Sequence, residues 1–346
     1  MVSDKKNRIL DFVKENPLLS SKEIHSGLNI DVGYSTVKRI LTKLISDKLI
    51  SSVGNGKARK YVLSPSYELF YPIDVNVYFE KEIDERKIKD RYNFTLIRDV
   101  IGKVKLFSDE ETHQLNQLQK QYRQNVNRLT KAEYSKELER LAIDLSWKSS
   151  QIEGNTYSLL ETERLLKEKE TAEGKTKDDA IMLLNHKEAI DFIFENPNYM
   201  TSVTIHKIEN IHSLLVKDLG IDRNIRKRKV GISGTNYQPL DNEYQIKEAL
   251  RDMCKLVNHR ESVFEKVFLA LVLTSYIQPF SDGNKRTARI ISNAILISNK
   301  YCPISFRTID SIEYKKAMLI FYEQNNVTAI KDVFISQFEF AVKTYF

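Results

Sequence analysis

Tyr276-Ile277-Gln278-Pro279-Phe280-Ser281-Asp282-Gly283-Asn284-Lys285-Arg286-Thr287-Ala288-Arg289 joins two helical patterns, 262–276 and 284–299. The first must stop before Pro279, because proline has no N–H for the helical ladder and disfavours the helical conformation at Gln278. Gly283 permits a sharp turn, and a helix restarting at Asn284 leaves its first backbone N–H groups unpaired and aimed into that turn. Such a helix start attracts anions. Lys285, Arg286 and Arg289 add cations, the two arginines three apart on one face, so several phosphate oxygens can be gripped together. Asp282 offers a carboxylate suited to a magnesium ion shared with those phosphates. Taken singly, each residue reads as a solvated side chain at a helix start; concentrated within eight positions, they point to a polyphosphate site.

The flanking sequence is helix after helix, at about 109–129, 134–152, 159–169, 178–195, 202–218, 243–258, 310–324 and 327–344. Lys229 to Tyr237 is the one strand-like interruption, and no period of 20 to 50 residues signals a solenoid. The fold class is therefore mainly α. Glu153 ends an amphipathic pattern just before Gly154, where the helix macrodipole disfavours a carboxylate unless a cation compensates. Without the loop at 278–289 it would read as a solvated glutamate before a capping glycine.

Residues 1–65 have a different character. They carry twelve Lys or Arg against six Asp or Glu, whereas the remaining 281 residues are nearly balanced within a net charge of +7. A helix ends before Pro17, and Ser20 with Glu23 forms a capping box for a second that stops at Gly27. A third, about Tyr34 to Lys48, turns Val37, Ile40, Leu41, Leu44 and Ile45 inward and a basic face outward. The period then becomes two on either side of Gly54-Asn55-Gly56, which is a hairpin. Three helices and a basic hairpin resemble the winged helix-turn-helix family. That resemblance makes Ser35, Thr36, Lys38 and Arg39 readers of duplex DNA and Lys57, Arg59 and Lys60 the wing contacts. Winged helices also dock proteins, so charge alone does not settle the partner. Residues 66–108 form a connector with a short strand and a helix.

The stretch 278–289 resembles the signature loop of the Fic (Fido) family, H-x-F-x-[DE]-G-N-[GK]-R-x-x-R, at every defined position but the first. Ser149-Ser150-Gln151-Ile152-Glu153-Gly154 resembles the family's inhibitory pattern [ST]-x-x-x-E-[GN]. The resemblance, over roughly 110–346, implies a Fic-type helical domain at 109–346, with an inhibitory helix at 134–153 and a small β-hairpin flap at Val230, Gly231, Ile232 and Ser233. It implies Mg-ATP as substrate and transfer of AMP to a Ser, Thr or Tyr hydroxyl of a target protein. Asp282 would hold magnesium, Gly283, Asn284, Lys285, Arg286, Thr287 and Ala288 would surround the phosphates, and Arg289 would reach the γ-phosphate. Ser149, Glu153 and Gly154 would form the inhibitory element, with Glu153 pairing with Arg289.

One position departs from the pattern. Gln278 stands where the family has its catalytic histidine, and a carboxamide can orient a hydroxyl but cannot accept its proton. His259, Tyr276 and Asp282 are the available substitutes. Two readings follow: a Fic-type adenylyltransferase restrained by Glu153 and impaired by Gln278, or a DNA-binding transcriptional regulator whose Fic-like domain senses nucleotide without catalysis.

Composition excludes other classes. Apolar residues make up 41% and charged residues 29%, ordinary globular values. The charged first twenty residues argue against a signal peptide, and no apolar run approaches the length of a membrane span. Cys254 and Cys302 are too few for a disulfide framework or a tetrahedral metal site, which fits a cytoplasmic protein. A second copy of the chain stays open as a partner.

Overall fold

The computed structural model describes residues 2–28 and 31–346, with the side chains of all of these except 2–4 and 57. It divides into two compact units, Met1–Asp74 with Gln324–Thr328, and Val75–Glu323 with Ala329–Phe346.

The smaller unit begins with α1 (Val2–Glu15), α2 (Ser21–Gly27) and α3 (Tyr34–Ser46). Ser20 and Glu23 close the expected reciprocal cap on α2. Ile9, Leu10, Val13, Ile24, Val37, Leu41 and Leu44 meet in one buried core. The hairpin β1 (Ile50–Val53) and β2 (Lys60–Leu63) is antiparallel, with Ile50 opposite Leu63 and Val53 opposite Lys60. Leu19 pairs with Tyr61 on the other edge of β2. A one-turn helix, α4 (Tyr67–Phe70), follows.

The alternating segment after Pro72 does not make the strand expected of the connector. Alternation builds a strand only where a sheet can accept it, and this segment instead turns into α5 (Val75–Tyr78), followed by single 3₁₀ and π turns as far as Lys103.

Ten longer helices complete the larger unit among the described residues: α6 (Asp109–Val126), α7 (Lys131–Ile152), α8 (Leu159–Glu168), α9 (Lys177–Glu195), α10 (Ile205–Leu215), α11 (Glu243–His259), α12 (Val263–Ile277), α13 (Asn284–Ser298), α14 (Ser311–Gln324) and α15 (Thr328–Thr344). Two differ from the sequence reading through their caps. Thr130 and Glu133 form a capping box that starts α7 before residue 134, and Thr204 starts α10 after residue 202. α12 is buried on every side from Val267 through Ile277, as suits a helix with no polar face. α13 packs along it, with α11 beside it and α7, α9 and α10 joining the same core. The loop at 278–283 is therefore held at the junction of two core helices.

The expected β-hairpin flap is a flap without a hairpin ladder. Residues 229–237 turn at Ser233–Gly234, but no strand pairing joins the two arms. Two short arms alone form a marginal ladder in water; here the bonds that hold the segment come from elsewhere in the unit. No helix among the described residues is long and apolar enough to cross a membrane.

Candidate functional site

From α6 to α12 every helix start is closed by a side chain, namely Ser108, Thr130, Ser158, Thr176, Thr204, Asn242 and Ser262. α13 breaks the series. Its cap is Gly283, with φ 77° and no side-chain bond to the first turn. A side chain there would be strained by that φ, and its Cβ would lie 3.3 Å from both His212 and Val216. The open helix start is thus required by packing behind it.

Beside it stand two deeply buried arginines. Arg286 gives one nitrogen to Asp282 at 3.2 Å, while its Nε and Nη1 have no partner. Arg289 donates from Nε to Ser149 Oγ at 2.8 Å and from Nη2 to the Ser149 carbonyl at 2.9 Å. Its Nη1 also lacks a partner. Buried donors are nearly always satisfied in a folded protein. Three guanidinium nitrogens without a hydrogen-bond partner stand beside the uncapped helix start and form a cationic cradle.

Glu153, following the last turn of α7, closes this cradle. Its Oε1 accepts from Arg289 Nη2 at 2.8 Å, and its Oε2 from Lys285 Nζ at 3.3 Å. Burial would raise its pKa, but Arg289, Lys285 and Arg286 outweigh that and hold the carboxyl at about 2. Behind Ser149, His186 Nε2 lies 2.7 Å from the same hydroxyl. Burial and the two arginines push His186 well below the usual histidine range, so it is neutral.

Gln278 sits in the left-handed region at φ 51°. Its carboxamide is fixed at both ends, Nε2 donating to the Ser275 carbonyl at 2.6 Å and Oε1 accepting from Asn284 Nδ2 at 2.9 Å. Asn284 also closes the loop by bonding both backbone groups of Phe280. Asp282 is 64% exposed at the mouth, one oxygen accepting from the Gly283 N–H. Thr287 and Ala288 lie buried on the inner face of α13, with Thr287 N–H bonded to the Gly283 carbonyl.

These parts line one cavity of about 260 Å³, shared by Glu153, Gln278, the loop Ser281–Lys285 and the flap residues Val230, Gly231, Ile232 and Ser233. Ser149, Arg286 and Arg289 stand behind that lining. Gly154 is exposed and carries the turn after α7, at φ 103°. Of the substitutes for a base, only Asp282 lines the cavity. His259 is exposed at the end of α11, and Tyr276 is fully buried.

Three contributors escape sequence reasoning. α14 presents Lys315, Met318, Leu319 and Tyr322 to the cavity, at the i, i+3, i+4, i+7 spacing that in a sequence reads only as a core stripe. Arg226 is buried with all its bonds on main-chain carbonyls: Gln278 at 2.6 Å, Arg228 at 2.7 Å, and Leu240. One guanidinium so ties the loop to both ends of the flap. His212 stacks on Phe280 with ring centroids 3.6 Å apart, and burial lowers its pKa to about 4. Its Nε2 faces the Asp222 carbonyl at 3.3 Å and must carry the proton, which leaves Nδ1 to accept from Thr287 Oγ1 at 3.4 Å.

The basic N-terminal residues belong to the smaller unit. Ser35, Lys38, Arg39, Arg59 and Lys60 are exposed and Thr36 is half-buried; the Lys57 side chain lies outside the described residues.

Residues 202–296 match the model of the Fic/DOC family. That span holds the flap and the entire loop. Among curated proteins, the chain is similar to a protein adenylyltransferase Fic of Nematostella vectensis, 30% identical over 48% of this chain and 40% of that one. It is also similar to protein adenylyltransferase fic-1 of Caenorhabditis elegans, 25% identical over 47% of this chain and 33% of that one. The chain thus spans two fifths or less of the length of these relatives. Among solved structures, a Fic-1 fragment from C. elegans superposes with a TM-score of 0.59 at 17% identity, covering 68% of this chain and 72% of that one. A Fic domain containing signaling protein from Bacteroides thetaiotaomicron gives 0.56 at 19%, covering 67% and 96%. Both are likenesses of fold.

Proposed function

We propose that the larger unit binds Mg-ATP at the start of α13 and is built to transfer AMP to a hydroxyl of a target protein, with Glu153 as its built-in competitor. The observation that carries this reading is the uncapped helix start beside three unpartnered guanidinium nitrogens, closed by a carboxylate from another helix. A phosphate group, like that carboxylate, offers negative charge and a pair of acceptor oxygens to a guanidinium fork. Arg289 is the natural γ-phosphate ligand and Arg286 with the helix start the α- and β-phosphate ligand. While Glu153 occupies Arg289, ATP is held without its last contact. The names of the relatives and the Fic/DOC match agree with this chemistry.

Asp282 fits magnesium as a single carboxylate at the mouth. Among the described residues no cluster of three or more His, Cys, Asp or Glu could hold a metal by itself, so the remaining ligands are phosphate oxygens and water. The ion would neutralise phosphate charge.

In the transfer, the target's hydroxyl oxygen bonds to the α-phosphorus as the bond to the bridging β-oxygen breaks, and pyrophosphate leaves. The hydroxyl proton needs an acceptor. Gln278, at the position of the family's histidine, orients the hydroxyl through a carboxamide that cannot take it, so the proton passes to water or a phosphate oxygen and the reaction is slow.

Calorimetry with Mg-ATP on the native chain, Glu153→Gly and Arg289→Ala tests the reading. Binding should strengthen in the first variant and weaken in the second. No heat from Glu153→Gly with any nucleoside triphosphate sinks it.

A second reading is favoured by the missing base together with the smaller unit. There Lys38, Arg39, Arg59 and Lys60 are exposed and the hairpin extends from a three-helix core. In this reading the smaller unit is a winged helix that binds duplex DNA, and the larger unit senses nucleotide for it.

A further inference from the structure

The connector at residues 84–90, left without a role by the sequence, runs beside the flap. Asp84 accepts from Asn236 Nδ2 at 2.8 Å, Arg86 Nη2 donates to the Gly234 carbonyl at 2.6 Å, and Gln238 N–H donates to the Asp90 carbonyl at 2.7 Å. All three bonds fall on the outer arm, Gly234–Gln238. The inner arm, Val230–Ser233, lines the cavity, and among the described residues no backbone hydrogen bond ties it to the protein.

Arg86 does more than touch the flap. Its side chain is 3% exposed and forms an ion pair with Glu323, itself 0% exposed, at 3.3 Å. Tyr78 donates to the other Glu323 oxygen at 2.6 Å, and Lys89 N–H to the Glu323 carbonyl at 2.8 Å. Glu323 follows Tyr322, the last cavity residue of α14. One guanidinium therefore joins the flap turn to the end of α14, the two elements that bring Val230–Ser233 and Tyr322 to the cavity.

A flap with no ladder of its own cannot hold its shape unaided. We propose that residues 84–90 are a fixed backing for the flap and that Arg86 is its positioning residue, so that Val230–Ser233 meets an extended segment of the target already ordered. The target half of this statement rests on the proposed transfer reaction; the backing does not.

Amide hydrogen exchange on the full chain separates the two. Arg86→Lys keeps a cation against Glu323 but lacks the fork that reaches Gly234 as well. Exchange at Tyr237 and Gln238, the flap amides that have acceptors, should rise by about tenfold or more while α12 and α13 keep native protection. The double variant Arg86→Met with Glu323→Gln removes the pair without leaving a lone buried charge, and should loosen the same segment. Native protection of Tyr237 and Gln238 in both variants overturns the proposal, as does a loss spread evenly over α12 and α13, which marks a merely structural role. Mg-ATP binding is measured in parallel in a Glu153→Gly background and should shift by less than about twofold with Arg86→Lys. If Glu153→Gly alone binds no ATP, the nucleotide reading falls and the exchange result still decides the backing.

Discussion

Glu153 meets Arg289 across 136 residues of sequence, its Oε1 2.8 Å from Nη2, and no other carboxylate among the described residues bonds this guanidinium. The carboxylate is held there by two cations, Arg289 and Lys285.

Glu153→Gly should therefore weaken the protein and strengthen its ligand binding together. Loss of the pair leaves Arg289 buried without its counter-charge, which costs roughly 1–3 kcal/mol of unfolding free energy in urea titrations. Mg-ATP affinity should rise by about tenfold or more by calorimetry. Mild acid does not mimic the substitution. Glu153 is depressed to about 2, so its contribution is fully present above the ordinary carboxylate value of 4.5 and is lost only as pH falls through about 2.

Gln278→His in that background restores a group able to take a proton at neutral pH. Transfer of label from α-labelled ATP to a target hydroxyl should rise by about two to four powers of ten. A rate that does not change would place the limiting step elsewhere.

Acid should act on the loop through His212 instead. Its pKa is lowered from 6.5 to about 4 by burial, so the stability it contributes is fully present above 6.5 and is lost as pH falls toward 4. The loss is at most roughly 3 kcal/mol by linkage. His212→Phe, which keeps the stack on Phe280, should reduce the pH dependence of the urea midpoint between these values, leaving the part that buried His186 contributes.

Arg226→Ala removes the donor to three main-chain carbonyls of the loop and flap. Unfolding free energy should fall by roughly 3 kcal/mol, and Mg-ATP binding should weaken because the αL turn at Gln278 loses its support. Arg226→Lys should recover little, since one ammonium cannot replace the fork.

For the smaller unit, duplex DNA should bind the full chain with an affinity that falls as salt rises. Replacing Lys38 and Arg39 by alanine should reduce the slope of log K against log salt by about two. A flat salt dependence in the native chain excludes DNA as the partner.

The loop at 278–289 is legible because its chemistry is local: Pro279 ends one helix, Gly283 permits the turn and the arginines lie on the next turn of helix. Helix starts are legible wherever a cap is read, and shifted where the box of Thr130 and Glu133 extends the helix beyond its apolar pattern. Arg226, Arg86 and the α14 face are not legible, because each acts on residues 52, 148 or, for α14, between 30 and 169 positions away. The flap misleads for the converse reason. Its composition suits a strand, but its bonds go to residues 84–90 of the connector, which form no strand to pair with.

The uncapped start of α13 has one more consequence. A helix whose first turn is finished by whatever binds there converts occupancy directly into melting temperature, with no catalysis required. Screening nucleotides and their fragments for the upward shift they produce would identify the natural ligand even in a protein that never completes a turnover.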